Sequence, residues 1–197
     1  SRKVSGIIVV GKVEDAFLSR LKGYGIPVLL VDHRSLEEPT DSVTSDSRQG
    51  AYQMTACLLN RGIERIGYFG DIAYTPSTLD RFLGFLEAMQ QHRGLGSFKE
   101  SMAYVERFSV LSNVEDFVIH QDAQGLYEAF ESIPEKPDVL LCSNDELAVF
   151  FMRTLQGKGI HIPSDLGIVG FDDIELSSMV SPALTTVHVQ KKMMGKR

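Results

Sequence analysis

Two adjacent polar pairs, Asn144-Asp145 and Asp172-Asp173, each come directly after a short apolar run, Val139-Leu140-Leu141-Cys142 or Ile168-Val169-Gly170-Phe171. Adjacent carboxylates can have their pKa values pushed apart and so divide general acid and base work. They can equally accept hydrogen bonds from the hydroxyls of a ligand. Successive residues of an extended chain point to opposite sides, so one of Asp172 and Asp173 faces a crevice and the other packs against loop backbone. Asparagine and aspartate both cap helices well, so one of Asn144 and Asp145 caps the next helix and the other is left for a ligand. Phe171 either offers an apolar face beside Asp172 or belongs to the core. Arg81 lies early in a predicted helix, in its first turn, where the helix dipole disfavours a cation. That mismatch points to a functional reason, since a guanidinium can fork onto a hydroxyl pair, a carboxylate or a phosphate. Thr75 and Ser77, in the loop before Arg81, can cap that helix or tune selectivity. His120 stands on a loop ahead of the helix that Asp122 begins and is a further ligand candidate.

Other chemistry is sparse. The five histidines show no metal-ligand spacing, and Cys57 and Cys142 lie in apolar periodic segments, as reduced core thiols do. There is no Gly-x-Gly-x-x-Gly after the first strand, no Walker loop and no Gly-x-Ser-x-Gly elbow. These features weigh against metalloenzymes, nucleotide enzymes and hydrolases, and no cofactor is expected. A net charge of −6 argues against a nucleic-acid surface within this segment. The 43% hydrophobic and 23% charged shares are those of an ordinary soluble globular protein, with no apolar run long enough for a membrane span and no signal sequence.

The elements that must position these residues can be read around the two polar pairs. Between them Leu147, Phe150, Phe151 and Leu155 recur at helical spacing. Strand, helix and strand in that order give a parallel, right-handed crossover. Both polar pairs then sit at the carboxyl ends of neighbouring strands, where open α/β sheets bind ligands. Upstream, residues 4–10 read as a strand covered on both faces, residues 15–21 as a helix, and residues 28–31 as a strand ending in Asp32. Residues 33–40 form a connection, and residues 43–46 a short extended piece ending at a candidate N-cap. The next helix shows Ala51, Met54, Thr55, Leu58 and Leu59 on one face and stops at Gly62. Residues 65–69 form a strand, and Thr75-Pro76-Ser77 starts a helix with Leu79, Phe82, Leu83, Leu86 and Met89 on its buried side. Residues 102–105 suggest a strand, residues 108–120 carry no legible pattern, and Asp122 begins another helix. Residues 175–179 read as a helical turn and residues 181–189 as extended chain. The alternation predicts an α/β fold with doubly wound parallel sheets.

The residues also carry a resemblance. Ser5-Gly6-Ile7-Ile8, Gly25-Ile26-Pro27-Val28 with Val31-Asp32, and Asp46 with Gly50-Ala51 appear in order. Arg61-Gly62 with Arg65-Ile66, Asp80-Arg81 with Gly84-Phe85, and Ser143-Asn144-Asp145-Glu146 come next. Ile162-Pro163-Ser164-Asp165, residues 167–173 and residues 181–187 complete the series. Together they resemble the effector-binding domain of the lac-repressor/gal-repressor (LacI/GalR) family of bacterial transcriptional regulators. The resemblance implies a two-lobed, periplasmic-binding-protein-like fold whose first lobe is incomplete here. Residues 1–41 would be part of the N-terminal subdomain, 42–181 the C-terminal subdomain, and 182–197 the crossover back. It assigns Asn144, Asp172 and Arg81 to the ligand and leaves Asp145 as the cap. It further implies a sugar-like effector, a homodimer, a cytoplasmic location without membrane contact, and operator DNA bound through a helix-turn-helix headpiece absent from this chain. The alternatives are a sugar-binding protein of a transport system and a small α/β enzyme using Asp172 or Asp145 as acid or base.

Overall fold

Short runs rich in valine, isoleucine and leucine supply several of the strands of two all-parallel sheets in the computed structural model, which describes residues 4–196. The first sheet has the order β1 (Ile7–Val10), β2 (Val28–Val31), β3 (Asp41–Val43), with α1 (Asp15–Lys22) between β1 and β2. Helix α2 (Ser47–Asn60) leads to the second sheet, ordered β4 (Ile66–Phe69), β5 (Val139–Cys142), β6 (Gly167–Asp172), β7 (Thr185–His188). Between β4 and β5 run α3 (Pro76–Arg93), α4 (Phe98–Phe108), α5 (Val114–Ile119) and α6 (Ala123–Glu131). Helix α7 (Asp145–Gly157) joins β5 to β6, α8 (Glu175–Met179) comes after β6, and α9 (Lys191–Met194) after β7.

The period-two alternation of the strands divides the second sheet's side chains between two cores. Ile66, Tyr68, Leu141, Val169 and Phe171 pack with Leu58, Phe82, Phe85, Met89 and Tyr104 of α2 to α4. Phe69, Leu140, Cys142 and Ile168 pack with Val114, Leu126, Leu147 and Phe151 of α5 to α7. This is the doubly wound α/β arrangement. Each fully buried Leu or Phe contributes about 1.5–3 kcal/mol of apolar transfer, so these two cores anchor the strands whose ends carry the polar pairs.

Local signals start most of the longer helices. Asp46, Thr75, Ser97, Asp122 and Asn144 each accept a hydrogen bond from a first-turn backbone N–H. Helices α2 and α3 meet backbone to backbone at Gly84, where a Cβ would lie 2.0 Å from the Arg48 carbonyl oxygen. Only glycine permits that approach.

Several expectations are corrected. Residues 102–105 lie within α4, not in a strand, and Ser97 with Glu100 closes a capping box that starts that helix. Helix α3 is buried on more than one stripe, because it is held between the sheet and α2. Phe85 is therefore fully buried, while Leu79 and Leu83 are only half-buried. The continuous apolar run of β1 is covered on one face only, since Ile8 and Val10 are 67% and 73% exposed. Cys57 is exposed on α2, whereas Cys142 is buried. Residues 185–188, read as extended chain, form β7, parallel to β6 with Asp172 opposite His188.

Candidate functional site

Strands β4, β5 and β6 end side by side at Phe69, Cys142 and Asp172, so the residues after them share one rim. Arg81 reaches this rim from the second turn of α3, one turn later than expected, where the dipole penalty has faded. Its Nη2 donates to Asp172 Oδ1 at 2.8 Å, and its Nη1 donates to the Ser143 carbonyl at 2.6 Å and to Asp172 Oδ2 at 3.4 Å. Its guanidinium carbon lies 4.0 Å from the centroid of the Phe171 ring. Arg81 is only 4% exposed. Phe171 is thus both core and the floor beneath the cation.

The Asp172 side chain is 25% exposed. Burial, opposed by the Arg81 charge and assisted by the charge of Asp32, pushes its pKa up to about 6. Asp172 and Asp173 both have positive φ, 114° and 50°. Non-glycine residues in such conformations typically cost of order 1–3 kcal/mol and persist where the surroundings over-determine them.

Those surroundings come from the other members of the two pairs. Asp145 is fully buried. Its Oδ2 accepts from Ile174 N at 3.0 Å and Ser177 Oγ at 2.6 Å, and its Oδ1 accepts from Thr186 Oγ1 at 2.6 Å. The carboxylate lies directly over Gly170, where a Cβ would come 2.1 Å from Oδ1. Asp173 pairs with His188 Nδ1 at 2.6 Å, and its carbonyl accepts from Lys191 Nζ at 2.9 Å. Asp145 and Asp173 therefore tie the loops that present Asp172.

The cap of α7 is Asn144, not Asp145. Asn144 Oδ1 accepts from Leu147 N at 2.9 Å, while its Nδ2 donates to Ser143 Oγ at 3.2 Å. The reason is tertiary: donors from Ile174, Ser177 and Thr186 claim the Asp145 carboxylate. Thr75 caps α3, accepting from Thr78 N at 3.1 Å, and Ser77 is half-buried in the first turn of that helix. His120 is exposed at the end of α5, and its Nδ1 bonds the Asp116 carbonyl at 2.8 Å.

Sequence reasoning missed Glu115. It is buried in the first turn of α5, accepts from Ser143 Oγ and from Asp71 N at 2.6 Å, and has its pKa raised, chiefly by that burial. Ser143 is thereby held twice, its carbonyl by Arg81 and its hydroxyl by Glu115. Residues 108–120 lack a clean periodicity, so no local pattern marked this acid.

The first sheet approaches the same rim. Arg34, just after β2, pairs with Asp80 of α3 at 3.0 Å, and Lys12 Nζ lies 4.0 Å from the centroid of the Tyr74 ring. A cavity of about 620 Å³ opens beside Phe171, with Asp46, Gln49, His188 and Met193 in its walls. The arrangement offers carboxylate and amide groups around a fixed guanidinium, which suits recognition of a hydroxyl-rich molecule. Among the described residues no three His, Cys, Asp or Glu side chains are grouped to hold a metal, and no helix is long and apolar enough to cross a membrane.

The chain is similar to proteins of known family and fold. The family described as periplasmic binding protein-like domain matches residues 55–197. The HTH-type transcriptional repressor PurR of Aliivibrio salmonicida is 27% identical over 202 residues, covering 99% of this chain and 56% of its own length. PurR of Vibrio atlanticus is 28% identical over 197 residues, with 99% and 55% covered. The chain spans about half the length of the curated relatives it matches. Among solved structures, the transcription regulator CcpA of Lactococcus lactis aligns with a TM-score of 0.74 at 23% identity, over 98% of this chain and 66% of that one. A sugar-binding transcriptional regulator of the LacI family from Escherichia coli, complexed with phosphate, aligns with a TM-score of 0.68 at 22% identity, with 98% and 66% covered. These structural likenesses show the shared fold.

Proposed function

The chain belongs to the periplasmic binding protein-like domain family, and on that premise we propose that it is the effector-binding domain of a LacI/GalR transcriptional regulator and binds a sugar or sugar derivative as its effector. Its curated relatives are named as repressors, not enzymes. In this reading residues 1–41 belong to the first lobe, 42–181 form the second, and 182–197 cross back. The effector lies between the lobes, and its binding changes their closure and the relative orientation of two subunits in a homodimer. Helix-turn-helix headpieces outside this segment then bind or release a palindromic operator in the cytoplasm. The coupling is reciprocal, so operator binding changes effector affinity by the same factor.

The observation that carries this reading is the Asp172 carboxylate, held at the sheet rim by a buried, ring-stacked Arg81. A carboxylate oriented by a charged fork accepts from ligand hydroxyls without having to reorganise, which lowers the cost of binding. Asn144 contributes through its amide nitrogen, Phe171 supports Arg81 from below, and Thr75 and Ser77 edge the rim. His120 bonds within its own helix and takes no part.

A thermal-shift screen of sugars on the full-length protein identifies the ligand, and calorimetry then tests the site. Arg81→Ala and Asp172→Ala each weaken binding by more than about tenfold, because each removes a charged hydrogen-bond partner from a mostly buried position. Circular dichroism confirms that both variants remain folded. Unchanged affinity in both variants rejects the assignment.

A further inference from the structure

Glu115 is buried in the first turn of α5. A glutamate is seldom buried without a paired cation, and no cation is among the groups that act on this one. Burial raises its pKa, against hydrogen bonds from the Ser143 hydroxyl and the Asp71 N–H. The carboxylate stands instead at the end of a chain of donors that begins at Asn144.

The direction of every bond in that chain follows from its two ends, where the donors are backbone N–H groups. Leu147 N donates to Asn144 Oδ1 at 2.9 Å, so the Asn144 atom that meets Ser143 Oγ at 3.2 Å is Nδ2. Ser143 Oγ therefore accepts from Asn144, and its single proton goes to Glu115 Oε1. At the other end Asp71 N donates to Glu115 Oε2 at 2.6 Å. Both Glu115 oxygens thus act as acceptors, which a carboxylate provides and an amide does not. Ser143 is fully buried, and its carbonyl also accepts from Arg81 Nη1 at 2.6 Å. One buried acid hence fixes a serine that touches both Asn144 and the arginine holding Asp172.

Resting on the effector-binding reading, we infer that Glu115 is a positioning residue for the effector site: by taking the Ser143 proton it fixes Asn144 as a hydrogen-bond donor at the rim. Among the described residues Asn144 Nδ2 has no acceptor other than Ser143 Oγ, which leaves one hydrogen for a ligand. The ends of neighbouring strands then offer an N–H donor at Asn144 and an acceptor at Asp172. That pairing matches a polyhydroxylated ligand, one of whose oxygens accepts from Asn144 while a hydroxyl donates to Asp172.

A stability cycle on the full-length protein tests the hydrogen-bond relay without any ligand. Asn144→Asp keeps a good helix cap and adds a charge that the helix dipole favours. It nevertheless sets an acceptor oxygen against the Ser143 oxygen whose proton Glu115 holds. Urea unfolding is expected to show the unfolding constant raised at least about fivefold by Asn144→Asp. Glu115→Gln, with one acceptor for two donors, and Ser143→Ala each remove that clash, so Asn144→Asp adds at most about twofold in either background. An equal penalty in all three backgrounds overturns the relay. Relief by Glu115→Gln alone does so too, since that pattern is repulsion between two carboxylates.

Calorimetry with glucose, galactose and ribose tests the positioning. Glu115→Gln is expected to weaken the tightest of them at least about fivefold and to have no further effect in a Ser143→Ala background, as a residue acting through that hydroxyl must. Should Glu115→Gln not fold, Ser143→Ala, with the same expected loss of affinity, carries both measurements. Unchanged affinity in Glu115→Gln, or full additivity with Ser143→Ala, overturns the positioning role and leaves the effector reading standing. Failure of every sugar to bind overturns the effector reading and the role given to Glu115 with it.

Discussion

Replacing Asp145 by alanine tests what holds the rim in place. The carboxylate is fully buried and accepts three hydrogen bonds, from Ile174 N, Ser177 Oγ and Thr186 Oγ1. A hydrogen bond to a charged group contributes about 1.5–3 kcal/mol, and a buried donor left without a partner costs about 1–3 kcal/mol. The two hydroxyls can turn toward other acceptors, but the backbone fixes the direction of the Ile174 N–H. The carboxylate's own desolvation, which alanine no longer incurs, offsets part of the loss. The net destabilisation is about 3–5 kcal/mol, the range for removing one member of a buried charged arrangement. Asp145→Asn retains one acceptor oxygen and sets its amide beside a hydroxyl that can turn to accept, so it costs about 1–2 kcal/mol. Urea unfolding should show both losses as a lower midpoint at constant slope. A loss below about 1 kcal/mol for alanine, or equal losses for the two variants, would refute the argument that these three bonds carry the rim.

Effector affinity should also fall on acidification. With the Asp172 pKa near 6, about a tenth of the carboxylate remains ionised at pH 5, so affinity there is about tenfold below its value at pH 7. Between about pH 4 and 6 the folded chain binds this proton more tightly than the unfolded chain. The group's contribution to stability is therefore greatest below that window and is lost as pH rises through it. Calorimetry from pH 5 to 8 checks the binding profile, which should flatten in Asp172→Asn; a flat wild-type profile contradicts the role given to the carboxylate. The Arg34–Asp80 pair, partly exposed on both sides, should couple the two lobes by about 0.5–1 kcal/mol at low salt. Arg34→Glu weakens effector binding, and adding Asp80→Arg restores it; simple additivity in that cycle would show that the pair does not bridge the cleft.

The parts legible in the sequence were those with local causes. The β5–α7–β6 unit was read from two apolar runs and one helical repeat, and the positions of Asn144 and Asp172 at the rim came with it. The starts of α2, α3 and α6 were marked by Asp46, Thr75-Pro76 and Asp122, since a cap needs only its own first turn. Helix α4 had a local signal as well, Ser97 with Glu100, but residues 102–105 resembled a strand more than that box resembled a helix start. The bare face of β1 had no such signal, because an apolar run does not say which of its faces is covered.

Type and spacing alone determined that polar pairs end two neighbouring parallel strands, and that Arg81 is carried toward the same rim. What each member of a pair does was decided by contacts across the fold. Asp145 is occupied by donors 29 to 41 residues away, which leaves Asn144 as the cap. Glu115 became part of the rim only through Ser143 and Asp71. Arg34 and Asp80 meet only because the first sheet lies against α3. Hydrophobic periodicity and caps act within one turn or one strand, whereas the partner of a buried carboxylate is whichever donor the packed elements bring to it.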